Sequence, residues 1–501
     1  MLIAHDLGTT GDKASLHDVS GRLLAAVTVG YPTRYAGVVS EQDPDDWWRA
    51  VVEATRALLV RAAVRPADVA GICVSGQMMG AVLLDYSGRP VRPAMIWSDS
   101  RSGAEAAELE RKVGTDAGYA LTGNRFGATY NLPKLMWVRK HEPETWAATA
   151  ATCVAKDYVN YRLTGRLATD HSDASHTGAY DLRTADWSPA LLDAAEVDAS
   201  LWPEILGSTT VLGRLTADAA EALGLPTATR VVTGGGDGPM AAVGAGCIAP
   251  GSNGYVCLGT SAWYATTTRE PVFDPRRRSF MLRHVVPDAF TPTATSQSGA
   301  GSLQWLHEAI APELPVAALV AEAAEVSAAD QGLFFLPYLM GERSPWWDSK
   351  ASGVFLGLRR QHTRAHLTRA VLEGVGYNLA LCIEAIAGPA DRPAGAPAGT
   401  GSLDRRSPID VIGGGAASDV WLRLLSDIWG VPVRRRSVTD QANSLGAAVT
   451  GLVGLGLAEF SIAPALSRVE AEFEPSAESI RHAGHRARFE AAYHALAGWF
   501  E

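Results

Sequence analysis

The chain has 501 residues, 47% of them hydrophobic, and a formal net charge of -10. At roughly 150 residues per domain this is a multi-domain length, and the apolar content can fill sizeable cores. The acidic balance argues against broad nucleic-acid or anionic-membrane binding, which needs a positive surface; the triplets Arg276-Arg277-Arg278 and Arg434-Arg435-Arg436 read as solvated turn or edge residues.

In chain order, LIAHD, KASLHD and RLLAAVTV read as three consecutive strands joined by Gly-containing turns. A helix then follows over DPDDWWRAVVEATRALLVRA, with Asp43 at its cap, Pro44 in its first turn, and Trp47, Val51, Val52, Leu58 and Leu59 on its apolar face. A Rossmann unit would pass from strand to helix directly after its glycine turn, so this opening is a different fold. The first turn, DLGTTGDK, is not a P-loop either. Gly8 and Gly11 are too close together and Lys13 is followed by Ala14, where that motif requires G-x-x-x-x-G-K-[ST].

VAGICVSG reads as a buried strand leading into the loop Gln77-Met78-Met79-Gly80, and AVLLDYSGRPVRP as a hairpin. MIWSDSR, TGNRFGATYNLPKLMW and KDYVNYRLTG mix loops and helices and suit a substrate-lining insert. VVTGGGDGPMAAVGAG is then strand, glycine turn and small-residue helix. The opening pattern recurs at SNGYVCLGTSAWYATTT, where Gly259-Thr260-Ser261 takes the place of Gly8-Thr9-Thr10. Later, FFLPYLMGERSPWW precedes a long helix from about His366 to Ala387, and IDVIGGGAASDVWLRLLSDIWG repeats strand, glycine turn and helix. Residues 388–408, rich in Pro, Gly and Ala, are expected to form a mobile surface loop without function.

Five singly placed cysteines, odd in number and without a C-x-x-C pair, make a disulfide framework or zinc site unexpected and point to a reducing compartment. The N-terminus lacks the basic lead and apolar core of a signal peptide. The most apolar late segment, AAVTGLVGLGLAEF, is shorter than the ~20 residues of a membrane span. The expectation is a cytoplasmic protein with no membrane or nucleic-acid partner.

Two hydroxyl-bearing glycine turns at the starts of two halves suggest a paired anion cradle, because small turns expose successive backbone N–H groups. Gly8 and Gly11 allow close approach, Thr9 and Thr10 can donate hydroxyls, Asp6 can bind Mg²⁺ directly or through water, and Gly259, Thr260 and Ser261 would hold the other side of any phosphates bound there. Each turn alone could be an ordinary hairpin turn, and Lys13 could be a strand-edge charge. Asp237, after three glycines at the end of an apolar strand, is placed to project a carboxylate toward a substrate.

DLGTTGDK, SEQDPDDWW, SGQMMG, IWSDSR, PKLMW, KDYVNYRLTG, GGGDG, LGTS, FLPYLMGERSPWW, GVFLGL, AVLEGVGY and VIGGGAASDVW occur in the order seen in the FGGY carbohydrate kinases, and the chain resembles that family over nearly its whole length. The resemblance implies an α/β fold of two ribonuclease H-like domains of the actin and sugar-kinase type with a central cleft. Residues 1–246 would form the sugar-binding lobe with the catalytic base, and 247–501 the nucleotide-binding lobe. It implies ATP and Mg²⁺, Asp237 as base toward a sugar hydroxyl, and Gly414, Gly415 and Ala416 against adenosine, although a bare glycine turn would also explain those three. Gln77, Met78, Met79, Trp97, Asp99 and Arg101 are the substrate-lining candidates, with Asp99 and Arg101 equally readable as a structural ion pair.

The expected reaction is ATP-dependent phosphorylation of a primary hydroxyl of a small sugar, xylulose first. Another pentulose, a tetrulose or a sugar alcohol is the alternative, and an actin-like nucleotide-driven switch is the alternative of a different class. A homodimer is compatible with any of these. Xylulose-specific members usually read GQMHG and GGGDN; here Met79 and Gly238 replace the two polar residues and remove hydroxyl partners.

Overall fold

The computed structural model describes residues 1–388, 407–438 and 441–500. The expected loop over 388–408 lies almost wholly outside the described residues. Two compact units divide the chain. The first comprises Met1–Ala249, Met281–Thr291 and Gln441–Leu466, and the second Pro250–Phe280, Pro292–Asp440 and Ser467–Glu501. Both are mixed α/β.

In the first unit, among the described residues, a six-stranded sheet runs Val211–Arg214, Arg230–Gly236, Gly71–Gly76, Leu2–Leu7, Gly11–His17, Leu23–Gly30. The three strands expected at the start form an antiparallel meander, Leu2–Leu7 to Gly11–His17 to Leu23–Gly30. On its other side Leu2–Leu7 pairs in parallel with Gly71–Gly76, which pairs in parallel with Arg230–Gly236. The helix Pro44–Arg61 begins where Asp43 accepts a bond from Asp45 N at 3.0 Å, and it buries Trp47, Val51 and Leu58 against the sheet. Capping residues such as this Asp are worth about 1 kcal/mol. Two short strands, Arg34–Ala36 and Val39–Gln42, precede this helix and were not expected. AVLLDYSGRPVRP forms a short hairpin, with Asp85 N donating to Arg89 O and Val91 N to Leu83 O at 2.9 Å around the Leu84–Pro90 bridge, and Val82–Leu84 also pairs with Ala151–Cys153.

The helix Ala442–Gly454 joins the first unit although most of the second precedes it in sequence. Close packing holds it there. A Cβ on Gly446 would lie 1.9 Å from the Met240 carbonyl oxygen, and one on Gly244 would lie 1.9 Å from that of Ala442. Gly446 therefore serves helix contact, as its small-residue setting suggests, with Ala447 and Ala448 fully buried beside it.

In the second unit Tyr255–Leu258 lies between Ala262–Ala265 and Ile409–Ile412, followed by Val433–Arg436 and Val469–Phe473. The long helix, Arg364–Ala387, is the one described helix long and apolar enough to cross a membrane, yet 83% of its most apolar stretch is buried inside the fold. It packs in the second core with Phe334, Phe335 and Leu425, so its hydropathy is that of a core helix. The arginine triplets differ from expectation. Arg278 is buried and paired with Asp274 and Glu384, while Arg434 and Arg436 face Asp410 and Arg435 faces Asp419. Burying an arginine stem requires a carboxylate at its head, and a charge run read without its partners hides that.

Candidate active site

Strand register places the first unit's candidates. Leu7 pairs across to Gly76, and Gly76 to Gly236, so three parallel strands end level. The segments leaving those ends are Gly8-Thr9-Thr10, Gln77-Met78-Met79 and Asp237-Gly238. Ligands of open α/β sheets bind outside the carboxyl ends of such strands. A register shift between Val232 and Gly235 sets the aim of the third strand. Gly234 adopts φ 72°, and a Cβ there would sit 1.9 Å from the Val74 carbonyl oxygen; only glycine fits.

Asp6 and Asp237 come close enough to repel one another. Asp6 is buried, and burial together with the Asp237 charge pushes its carboxyl up to about 7, against the opposing influence of Lys13 and Asn443. Lys13 is the cross-strand partner of Asp6 and is exposed. Directly opposed residues share a sheet face, so its ammonium stands on the same side as the carboxylate. Asn443 Nδ2 donates to Asp6 Oδ1 at 3.4 Å. Asp237 opens the helix Asp237–Gly244; burial pushes it up to about 6, partly offset by the 2.8 Å bond from Gly238 N. These are carboxylates whose charge is under-compensated by the protein itself.

The hydroxyl turn is held rigidly. Gly8 N donates to Gly11 O at 3.0 Å, and the Tyr31 hydroxyl donates to Gly8 O. Trp97 Nε1 donates to Thr9 Oγ1 at 2.9 Å, bringing one substrate-lining candidate onto a phosphate-binding candidate. Thr10 is exposed at the tip.

Met78 packs beneath the acid, because a Cβ on Gly236 would lie 2.6 Å from its sulfur. Met79 has φ 62°, a left-handed conformation that is uncommon for a non-glycine residue. Its carbonyl accepts from Lys134 Nζ at 2.9 Å. Lys134 is fully buried and also donates to Ile96 O at 2.7 Å and Thr129 O at 2.6 Å, so one ammonium pins the loop of Met79 and the turn before Trp97. Asp99 and Arg101 form the ion pair that their spacing allows. Arg101 Nη2 lies 2.6 Å from Asp99 Oδ2 and 2.7 Å from Glu41 Oε1, and Ser40 N donates to Asp99 Oδ2 at 2.8 Å. The Asp99 carboxylate and the Arg101 Nε and Nη2 engage each other and Val39–Gln42.

In the second unit the pattern repeats. Cys257 pairs in parallel with Ile412, so Gly259-Thr260-Ser261 and Gly413-Gly414-Gly415-Ala416 leave neighbouring strand ends. Thr260 is exposed. The Gly259 and Thr260 carbonyls accept from Ala300 N at 2.7 Å and Gly299 N at 2.8 Å, and this backing by residues 299–301 was not expected. The adenosine candidates separate. Gly414 is exposed, with nothing within 4 Å of a notional Cβ, whereas Gly415 packs on Leu258 and Ala416 is fully buried.

Sequence reasoning missed Gln42, Lys134 and Asn443. Lys134 and Gln42 stand inside quoted motifs, PKLMW and SEQDPDDWW, but periodicity assigns them no partner. Asn443 is 437 residues from Asp6, and no local signal could have joined them.

Residues 1–244 match the model of the N-terminal domain of the FGGY family of carbohydrate kinases, and residues 254–455 that of its C-terminal domain. The xylulose kinase of Escherichia coli (strain K12) is 35% identical over 449 residues, covering 89% of each chain. Among solved structures, a xyloylose kinase from Brucella ovis superposes with a TM-score of 0.90 at 31% identity, covering 99% of both chains. A ligand-bound xylulose kinase from Lactobacillus acidophilus gives 0.92 at 25% identity, covering 100% of this chain and 99% of that one.

Proposed function

We propose that this chain, which belongs to the FGGY family of carbohydrate kinases, is an ATP-dependent kinase that phosphorylates the primary hydroxyl of xylulose, giving xylulose 5-phosphate. The observation that carries this reading is the level ending of three parallel strands, which gathers a hydroxyl turn, an amide-and-methionine loop and the raised-pKa pair Asp6 and Asp237 at one end of one sheet. The names of the relatives supply the choice of xylulose.

Asp237 serves as base. Its proton affinity, raised by burial, still leaves it ionised near neutrality, and a base of that strength can accept a hydroxyl proton as the oxygen attacks. The acceptor oxygen bonds to the γ-phosphorus, the bond to the bridging oxygen breaks, ADP departs, and the proton passes to Asp237. The protein's remaining work is positioning and charge stabilisation. Within the first unit Thr9 and Thr10 are the hydroxyl donors suited to phosphate; within the second, Gly259, Thr260 and Ser261 form a turn of the same kind and Gly414 offers backbone to adenosine. Gly415 and Ala416 support that turn from inside.

The chemistry of the acid pair fits a divalent cation. Asp6 is buried beside a second carboxylate, and the long amide bond from Asn443 with the Lys13 charge only partly compensates it; Mg²⁺ needs only one or two protein carboxylates with phosphates and water. Asp6 would hold it, directly or through water, and when bound the ion supplies neutralisation of the transferring phosphates. Lys13 adds a positive charge on the same face. The reading is of a cytoplasmic enzyme, in keeping with cysteines that the sequence spaces singly and without a C-x-x-C pair. A nucleotide switch without an acceptor would leave Asp237 and the Gln77 loop unused.

The test is an ADP-release screen against ketoses, aldoses, aldonates and polyols, with the phosphate position of the product found by NMR. Xylulose is expected to give the highest kcat/KM. A tenfold better acceptor would overturn the substrate, and no sugar-dependent release would overturn the reaction.

A further inference from the structure

Gln42 ends the short strand Val39–Gln42 and is buried, and its amide sits between two residues already placed at the site. Trp47 Nε1 lies 2.9 Å from Gln42 Oε1, and Gln42 Nε2 lies 2.6 Å from the Thr9 carbonyl oxygen and 2.7 Å from Thr33 Oγ1. An indole N–H can only donate and a backbone carbonyl can only accept. Both constraints orient the Gln42 amide the same way, so its polarity is decided by chemistry and not by a choice between O and N.

That polarity propagates. Gln42 Oε1 also faces Gln77 Nε2 at 2.7 Å, and because an oxygen is there, Gln77 must present its NH₂. The Gln77 carbonyl oxygen is therefore turned the other way, where it is buried without a hydrogen-bond partner. A buried acceptor left unpaired is costly, and a donor hydroxyl of a bound substrate would relieve it. Gln77 N is itself anchored to Leu7 O at 2.9 Å, immediately before the hydroxyl turn. At Thr9 the same logic holds. Trp97 Nε1 occupies the hydroxyl oxygen as donor, which leaves the Thr9 hydroxyl proton free to be given to an anionic oxygen.

We propose that Gln42 is a positioning residue that ties the sugar-facing amide of Gln77 to the phosphate-facing turn at Thr9, fixing Gln77 as an acceptor for a substrate hydroxyl and Thr9 as a donor to phosphate. This rests on the kinase reading above. It specifies that the substrate group meeting Gln77 donates a hydrogen bond, as a hydroxyl does and a carbonyl, ether or fluorine does not.

Steady-state kinetics of the full chain with magnesium-ATP and its best sugar test it. Gln77→Leu is expected to raise the sugar KM on the order of 10–100-fold with kcat within about threefold, the pattern of lost uniform binding. Gln42→Met removes both arms at near-constant volume. It should raise the sugar KM to a similar extent and also lower kcat about tenfold, because the Thr9 carbonyl is released. The double variant should match Gln42→Met within about twofold, since both changes act through one amide. Loss of folded enzyme alone would lower kcat at unchanged KM.

A folded Gln42→Met with both constants within about twofold of the parent, or a double variant whose losses multiply, overturns the proposal. Should Gln42→Met fail to fold, Trp47→Phe deletes only the donor that sets the polarity and is expected to raise the sugar KM about 3–10-fold; an unchanged KM there overturns it. A parent with no sugar-dependent ADP release overturns the kinase reading, and this inference with it, and is told apart by the parent's own assay.

Discussion

Replacing Asp237 by Asn removes the proton acceptor while keeping the shape of the turn, because an amide oxygen can still accept the 2.8 Å bond from Gly238 N. Burial raises this carboxyl from 3.8 to about 6. As a base it must be deprotonated, so kcat/KM for the sugar should rise with pH through that value, with about a tenth of the enzyme competent at pH 5 and nearly all at pH 8. General-base catalysis contributes about 10²–10⁴-fold, or ~3–5 kcal/mol of barrier, and this is the loss expected of Asp237→Asn on the plateau. ATP affinity, measured by calorimetry without sugar, should change by less than about threefold, because the residue is assigned to the acceptor side. Coupled ADP-release rates from pH 5 to 9 for both proteins provide the assay. Retention of turnover within tenfold of the parent, or an acid limb that survives unchanged in the variant, would refute the reasoning.

Asp6→Asn should trade function for stability. A folded-state pKa raised from 3.8 to about 7 means that the carboxylate's contribution is most favourable below pH 4 and is lost as pH rises to 7, so the metal-free variant should be about 1–4 kcal/mol more stable than the parent at pH 8 and no more stable near pH 4. Urea melts at the two pH values read this, together with a fall in magnesium-dependent turnover. Trp97→Phe should cost about 0.5–1.5 kcal/mol in kcat/KM for ATP by freeing the Thr9 hydroxyl; unchanged ATP kinetics would detach Trp97 from the phosphate turn. Gly446→Val should destabilise by at least ~2 kcal/mol, since its Cβ would press on the Met240 carbonyl, and the melting midpoint measures it. Lys134→Met should cost ~3 kcal/mol or more by stranding the buried carbonyls of Met79 and Ile96 and the half-buried one of Thr129, and an unshifted denaturation midpoint would contradict that.

Much of this protein is local. The meander before the helix Pro44–Arg61, the hydroxyl turns, the glycine run before Asp237 and the ordered motifs each depend on residues within a few positions of one another, so strand alternation, turn chemistry and capping suffice to read them. Their family resemblance was legible for the same reason. The partners of charges were not. The Asp99–Arg101 pair was open to the sequence, but Glu41 and Ser40, which close its network, were not, and the buried arginines of both triplets read as solvated until Asp274 and Asp410 faced them.

The amino-acid sequence alone supplied the opening strands and helix, the two hydroxyl turns and Asp237 behind its glycine run, because these follow from short-range sterics and hydrogen-bonding chemistry, and its ordered motifs carried the resemblance that implies a two-domain α/β fold. Tertiary structure decided which groups share a site. Parallel register levels Leu7, Gly76 and Gly236, helix packing returns Asn443 to Asp6, and burial sets both acid strengths. Register, close approach and desolvation depend on segments hundreds of residues apart, and no window along the chain contains them.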